Sequence, residues 1–225
     1  MSEAFAQFDA LMSARFSCRA FLPKPVPDAT IRAIVHTAGK APSWCNAQPW
    51  ELEITKGAAT DELRRVVADA QAAGAQPQPD FLWPERYSGV YQNRRREVGW
   101  QLYNAVGVEK GDRAGAARQS ARNFVMFDAP HVAILHSPAQ LSDYGAIDCG
   151  GFVTAFCLAA QALDVQSIPQ AAITPYSPQI RAHLGLSDER RIVCAISFGF
   201  GAMDDPANSF RAGRVGENAI CRIID

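Results

Sequence analysis

The chain has no uninterrupted apolar run near the roughly 18 to 20 residues that a membrane-crossing helix needs, so a protein that folds in water is expected. It also lacks an excess of either charge: 22 Lys and Arg stand against 23 Asp and Glu, for a formal net charge of -1. With no global field to draw it to nucleic acid or anionic lipid, small molecules are the expected partners. No CxxC pair occurs among the scattered Cys18, Cys45, Cys149, Cys157, Cys194 and Cys221. The opening residues, MSEAFAQFDALMSARF, show no basic segment followed by a long apolar one. Reduced thiols in the cytoplasm are the expectation. Clustered metal ligands are missing too. His36, His131, His136 and His183 are isolated and read as structural or surface residues, His131 and His136 as the ends of an apolar strand. Gly199-Phe200-Gly201 runs into Ala202-Met203-Asp204, which fails the G-x-G-x-x-G pattern of a dinucleotide-binding turn. There is no G-x-S-x-G, no Walker A sequence and no internal repeat, so common hydrolases, P-loop enzymes and solenoids are disfavoured.

What is present is the balance of a globular protein: 48% hydrophobic and 20% charged residues, read as a single domain over 1–225. Phe5, Phe8, Leu11 and Met12 predict an amphipathic helix over 3–14. A second helix carries Ile31, Ile34, Val35 and Ala38, with Asp28 placed to cap it. Trp50, Leu52 and Ile54 alternate with polar residues, as in a half-buried strand. Helices are predicted over 61–73, 88–106 and 112–124. Between the first two, Pro77, Pro79 and Pro84 make 74–84 a surface excursion. Residues 131–137 read as a core strand, 144–163 as a central buried helix, 166–173 as a strand, 178–184 as a short helix and 191–200 as an apolar strand. Gly150-Gly151 in the long helix suggests close packing or close approach by something else. The cationic run Asn93-Arg94-Arg95-Arg96 reads as a solvated helix face or a dimer rim. The apolar tail end, Ala219 to Ile224, needs a covering surface, for which a partner subunit is one candidate. Strands out of strict βαβ alternation favour a layered α+β fold.

Two segments carry a chemical signal. Arg15, Ser17 and Arg19 offer two guanidinium forks and a hydroxyl, groups suited to a phosphate, although two arginines four apart are also a common surface pattern. Arg211 and Arg214 could add cations only through the fold. The loop Ala41 to Trp50 holds Asn46 and Gln48 between prolines that keep it extended; a capped helix end leading into a strand is the plainer reading.

Taken together, Arg15-Phe16-Ser17-Cys18-Arg19-Ala20-Phe21 and Ala41-Pro42-Ser43-x-x-Asn46-x-Gln48-Pro49-Trp50, at this spacing, resemble the opening of the nitroreductase-like FMN family. Pro169-Gln170-Ala171-Ala172 resembles that family's flavin-edge strand, and Gly199-Phe200-Gly201 through Pro206-x-Asn208-x-x-Arg211-x-x-Arg214 its C-terminal phosphate motif. The sequence departs from the commonest pattern where Ser167-Ile168 replaces Thr-Cys, which bears on substrate fit. It departs again at Val215-Gly216-Glu217-Asn218, which bears on the course of the tail.

The resemblance implies a three-layer α-β-α fold with a mostly antiparallel central sheet, and a C-terminal segment exchanged onto the partner of a homodimer. It implies FMN held by Arg15, Ser17 and Arg214 at the phosphate, with Arg19 at the pyrimidine edge. Pro42, Ser43, Trp44 and Asn46 would come from the other subunit. Backbone groups of Pro169, Gln170 and Ala171 would approach the flavin N5 edge. Phe16, Arg211 and Arg122 (or Gln119) complete the implied set. Residues 74–108 resemble an insertion that covers the flavin, where Phe81, Trp83, Tyr87, Tyr91 and Trp100 would shape the substrate pocket or simply pack. The implied reaction is a two-step cycle: NADH or NADPH gives hydride to flavin N5, leaves, and is replaced by a nitroaromatic, quinone or activated alkene. Reductive dehalogenation, substrate dehydrogenation, flavin breakdown and a flavin-binding role without turnover remain as alternatives.

Overall fold

Four strands form one sheet in the order β1-β2-β4-β3, in a computed structural model that describes residues 1–224. They are β1 (Glu51–Lys56), β2 (His131–Pro138), β3 (Gln166–Gln170) and β4 (Arg190–Gly199), and all three pairings are antiparallel. The central strands β2 and β4 are almost wholly buried because both sheet faces are covered. On one side Ala133, Leu135, Cys194, Ile196 and Phe198 pack against α2 (Asp28–Ala38) and α6 (Ser142–Gln161), through Ile31, Ile34, Phe152 and Phe156. On the other, Val132, Ile134, Ile192 and Ala195 meet α3 (Ala58–Ala72) and α7 (Ser177–Leu184), through Leu63, Val67 and Ile180. The three-layer α-β-α architecture follows from these two cores.

Ile192 and Cys194 are two apart yet face opposite cores. A register shift between Leu135 and His136 explains this: Leu135 pairs with Cys194 and His136 with Ile192, leaving Val193 as the extra residue of a bulge.

Several expected boundaries move. Asp28 does not cap α2; it lies in the first turn, bound to Lys56 at 2.7 Å, and Pro27 precedes the helix. The helix expected over 112–124 is α5 (Arg113–Ala121), because Met126, Phe127 and Asp128 turn through left-handed backbone into β2. β3 ends at Gln170, where Thr174 donates its N–H and its hydroxyl to Ala171 O and closes a turn. The long helix α6 is buried on one face only: Ile147 is 65% exposed, and no atom lies within 4 Å of a Cβ placed on Gly150 or Gly151. The predicted apolar face of α1 (Glu3–Ala14) is likewise bare, with Phe5, Phe8 and Met12 exposed.

His131 and His136 are not both strand ends. His131 opens β2, His136 sits within it, and both are buried. His131 Nε2 accepts the Val26 N–H at 2.9 Å, while both ring nitrogens of His136 lack a hydrogen-bond partner. Burial holds both imidazoles below the ordinary value of 6.5, despite Glu53 lying 3.8 Å from His136. Both are therefore neutral in the fold at pH 7. As pH falls below 6.5 the unfolded chain takes up protons that the folded chain refuses, so stability is full above that pH and lost below it. A melting temperature that stays flat from pH 7.5 down to 5.5 would contradict this.

Candidate active site

The segment Arg15 to Arg19 alternates. Phe16, Cys18 and Ala20 point into the body, and Arg15, Ser17 and Arg19 outward. That period of two belongs to extended backbone, and the segment is laid against the sheet: Ser17 bridges Ser167 in parallel, and Cys18 N–H donates to Ser167 O at 3.2 Å. Further on, Leu22 N–H donates to Phe200 O at 2.7 Å, and Phe21 pairs with Gly201. The arginines are thereby fixed beside the start of β3, whose far end is Pro169-Gln170.

Asn208 joins the C-terminal arginines to this segment. Its carboxamide, 2% exposed, accepts the Arg19 N–H at 2.7 Å and donates to Ala20 O and Ala202 O, each at 2.9 Å. Two chain regions some 190 residues apart are locked by one side chain. Asn208 belongs to the motif Pro206-x-Asn208-x-x-Arg211 that resembles the family's phosphate segment, but its role as a tie to Arg19 and Ala20 is visible only in the fold.

The result is a cleft of about 560 Å³, in the size range of small-molecule sites, lined among others by Met12, Arg15, Ser17, Arg19, Arg211 and Arg214. Four guanidinium groups share it, and no carboxylate lines it among the described residues. Among the described residues none of the four forms a salt bridge. Instead they lean on local acceptors and rings. Arg19 donates to Ser17 O at 3.0 Å, Arg214 to Ala212 O and Gly213 O, and Arg211 to Asn208 O, its guanidinium 3.7 Å from the centre of the Phe16 ring. Burial lowers the pKa of Arg19 from its ordinary value, the expected cost of desolvating a cation without a counter-ion. Beneath it, burial pushes the Cys18 thiol up to about 11, so that group stays neutral and inert.

Such a donor set fits a phosphate monoester. Each fork can pair with two phosphate oxygens, the charge of the anion would relieve four mutually repelling cations, and Ser17 adds a hydroxyl. FMN carries that group, so the residues present fit it.

The remaining expected residues fall elsewhere. Pro42, Ser43, Trp44 and Asn46 do not line this cleft. Their loop is tied to α6, with the Trp44 N–H donating to Asp148 and the Trp44 ring tilted at 40° against Tyr144, centroids 4.3 Å apart. Cys45, Asn46 and Gln48 hold left-handed backbone there. Arg122 pairs with Asp128 at 2.7 Å and lines no part of the cleft. The Gln170 side chain turns inward, donating to Asn123 and accepting from Ser197, so that Gln170 is buried between exposed Pro169 and Ala171. Asn123, unforeseen from the sequence, is what turns it.

The excursion at 74–84 is firmly attached. Gln78 N–H donates to Pro175 O, Asp80 accepts from Arg181 and from Ile192 N–H, and Trp83 Nε1 donates to Thr174 Oγ1 at 3.0 Å. The helix that follows, α4 (Gly89–Ala105), runs beside the arginine cleft, which its Val98 lines, and approaches Pro206–Asn208. Among the described residues no cluster of three or more His, Cys, Asp or Glu could hold a metal ion, and no helix is long and apolar enough to cross a membrane.

A sequence model of the nitroreductase family matches residues 12–200. Nitroreductase NfnB of Mycolicibacterium smegmatis is 34% identical over 209 residues, covering 92% of this chain and 88% of NfnB. The crystal structure of FMN-dependent NfnB from Mycobacterium smegmatis in complex with NADPH superposes with a TM-score of 0.92 over 98% of this chain and 100% of that one. A 4-nitrobenzoate reductase of Pseudomonas putida is 32% identical over 209 residues, 92% of this chain and 91% of the relative. The family pattern thus runs from the first arginine of the cleft to the end of the sheet beneath it, and the chain belongs to the nitroreductase family.

Proposed function

We propose that this protein is an FMN-dependent NAD(P)H oxidoreductase that reduces nitroaromatic, quinone-like or similar acceptors. The observation that carries the reading is the cleft in which Arg15, Arg19, Arg211 and Arg214 converge with no carboxylate among the described residues that line it. The family relatives named above are similar in sequence along nearly the whole chain.

Flavin, when bound, supplies the hydride chemistry, taking two electrons from the reduced nicotinamide and passing them to the acceptor that replaces it. The protein's part is to bind, orient and desolvate. Arg15, Arg214 and Ser17 hold the phosphate, with Arg211 kept flat on Phe16 beside them. Arg19 lies at the pyrimidine edge, where a partly desolvated cation favours negative charge on the ring. The exposed residues Pro169 and Ala171, with buried Gln170 between them, face the reacting edge. The 74–108 excursion excludes water from above it. No catalytic acid is required from the chain.

The working unit is a homodimer. Bare apolar surface on α1, on α6 and at Ile220, Ile223 and Ile224 of the tail exceeds what a monomer leaves uncovered without cause. The tail segment exchanged onto the partner supplies that cover, and Pro42, Ser43, Trp44 and Asn46 reach the flavin of the neighbouring subunit. Six free cysteines, four of them buried, accord with a cytoplasmic setting.

The visible spectrum of the purified protein tests cofactor and activity together. Yellow protein, bleached by NADPH or NADH without oxygen and recoloured by a nitroaromatic or a quinone, is expected. Colourless protein that ignores added FMN contradicts the cofactor, and yellow protein that no nicotinamide bleaches contradicts the reductase.

A further inference from the structure

A second cleft, of about 520 Å³, adjoins the first and shares Val98, Ala212 and Arg214 with it. Apart from Gly213 and Val215 of the C-terminal segment, its other walls come from the excursion: Tyr87, Tyr91, Arg94, Arg95, Glu97 and Gln101. Arg94 and Arg95, read from the sequence as a solvated face or a dimer rim, are exposed and lie over tyrosine rings, Arg94 at 6.0 Å from the centre of Tyr91 and Arg95 at 5.4 Å from that of Tyr87. A guanidinium lying over a ring keeps its in-plane N–H groups free to donate. Neither arginine has a salt bridge among the described residues, Glu97 included, and three cations thus face one carboxylate. The Oε1 of Gln101 is buried and has no hydrogen-bond partner. A buried acceptor left without a donor is costly, so Gln101 points to a ligand that brings a hydroxyl or an amine.

A ligand for these walls needs a strong anion for the paired arginines, a hydroxyl or amine for Gln101, and a flat ring for the tyrosine faces. The ribose 2′-phosphate of an adenosine unit has all three. It also has the reach. Neither cleft is lined by Pro169, Gln170 or Ala171, so a single-ring acceptor stacked at that edge would not extend here, whereas a dinucleotide would.

We propose that Arg94 and Arg95, with Gln101 and the rings of Tyr87 and Tyr91, bind the adenosine 2′-phosphate end of the electron donor and make NADPH preferred over NADH. This rests on the reductase reading above and adds the residues that choose the donor.

The test uses the flavin-loaded protein and the double variant Arg94→Gln/Arg95→Gln, both exposed positions. With one common acceptor, kcat/KM for NADPH falls about 100-fold, while that for NADH and the flavin content change less than about twofold; each charge-assisted bond lost accounts for roughly tenfold. Calorimetry gives a second readout without turnover: 2′,5′-ADP binds the natural protein and binds the variant at least tenfold more weakly, while 5′-AMP distinguishes the two little. Equal losses for both donors, loss of flavin from the variant, or a KM rise confined to a carboxylated acceptor such as 4-nitrobenzoate overturns the assignment. The last outcome would give the cleft to the acceptor. Colourless natural protein that binds no FMN fails the reductase reading itself, whereas yellow, active protein indifferent to the 2′-phosphate fails only this one.

Discussion

Replacing Arg15 and Arg214 together by alanine is expected to weaken FMN binding by 100-fold or more, so that the protein purifies without colour. Each guanidinium contributes charge-assisted hydrogen bonds worth about 1.5–3 kcal/mol, or roughly 10- to 150-fold in affinity. Titration of the apoprotein, followed by quenching of FMN fluorescence, measures the effect. Arg15→Lys alone should recover part of it, since the charge remains and the planar fork is lost. The fold should survive: neither arginine has an acidic partner among the described residues. Removing two cations from a group of four leaves apoprotein stability within about 0.5 kcal/mol, the usual range for exposed substitutions. A double variant whose FMN affinity stays within threefold of the natural protein would remove the cleft from the account of cofactor binding.

The second large effect is predicted at Asn208, which binds no ligand. Asn208→Leu keeps the branched shape but leaves the Arg19 N–H without its acceptor and takes one donor each from Ala20 O and Ala202 O, which keep the N–H groups of Ala202 and Asp205. Stranding buried polar groups costs about 1–3 kcal/mol each. With the Arg19 N–H stranded and a further hydrogen bond lost at each carbonyl, a loss of about 3 kcal/mol is expected, a melting temperature lower by roughly 6–12 °C for a chain of this size. FMN affinity should fall with it, because Asn208 holds the Arg15–Arg19 segment against the loop that carries Arg211 and Arg214. Thermal melts of apoprotein and FMN-loaded protein separate the two consequences. Unchanged flavin affinity alongside the lower melting temperature would make Asn208 an ordinary core residue.

Much of this molecule was written in local patterns. The apolar runs of β2 and β4 and the amphipathic spacing of α2 and α3 specified their elements, since burial on one face imposes a period that a sequence displays openly. The chemistry of the cleft was legible at the level of residue type: arginines flanking a serine, and two more arginines near the tail. The alternation of Arg15 to Arg19 is likewise present in the sequence, directly after a helix of a different period.

Other features had no local signature. Nothing near Arg15 in the chain marks Asn208, because the hydrogen bonds joining them cross some 190 residues and exist only once the sheet is assembled. Gln170 carries no mark of its inward turn, which depends on Asn123 and Ser197 arriving from separate elements. Arg94 and Arg95 look like any solvated pair until the excursion, tethered through Asp80 and Trp83, lays them along the wall shared with Arg214. The sequence alone determined which segments become helix or strand and that phosphate-binding groups exist. Tertiary structure alone decided which of those groups meet, because convergence depends on chain closure over long separations and on buried polar atoms finding distant partners, and neither is encoded in any short stretch of residues.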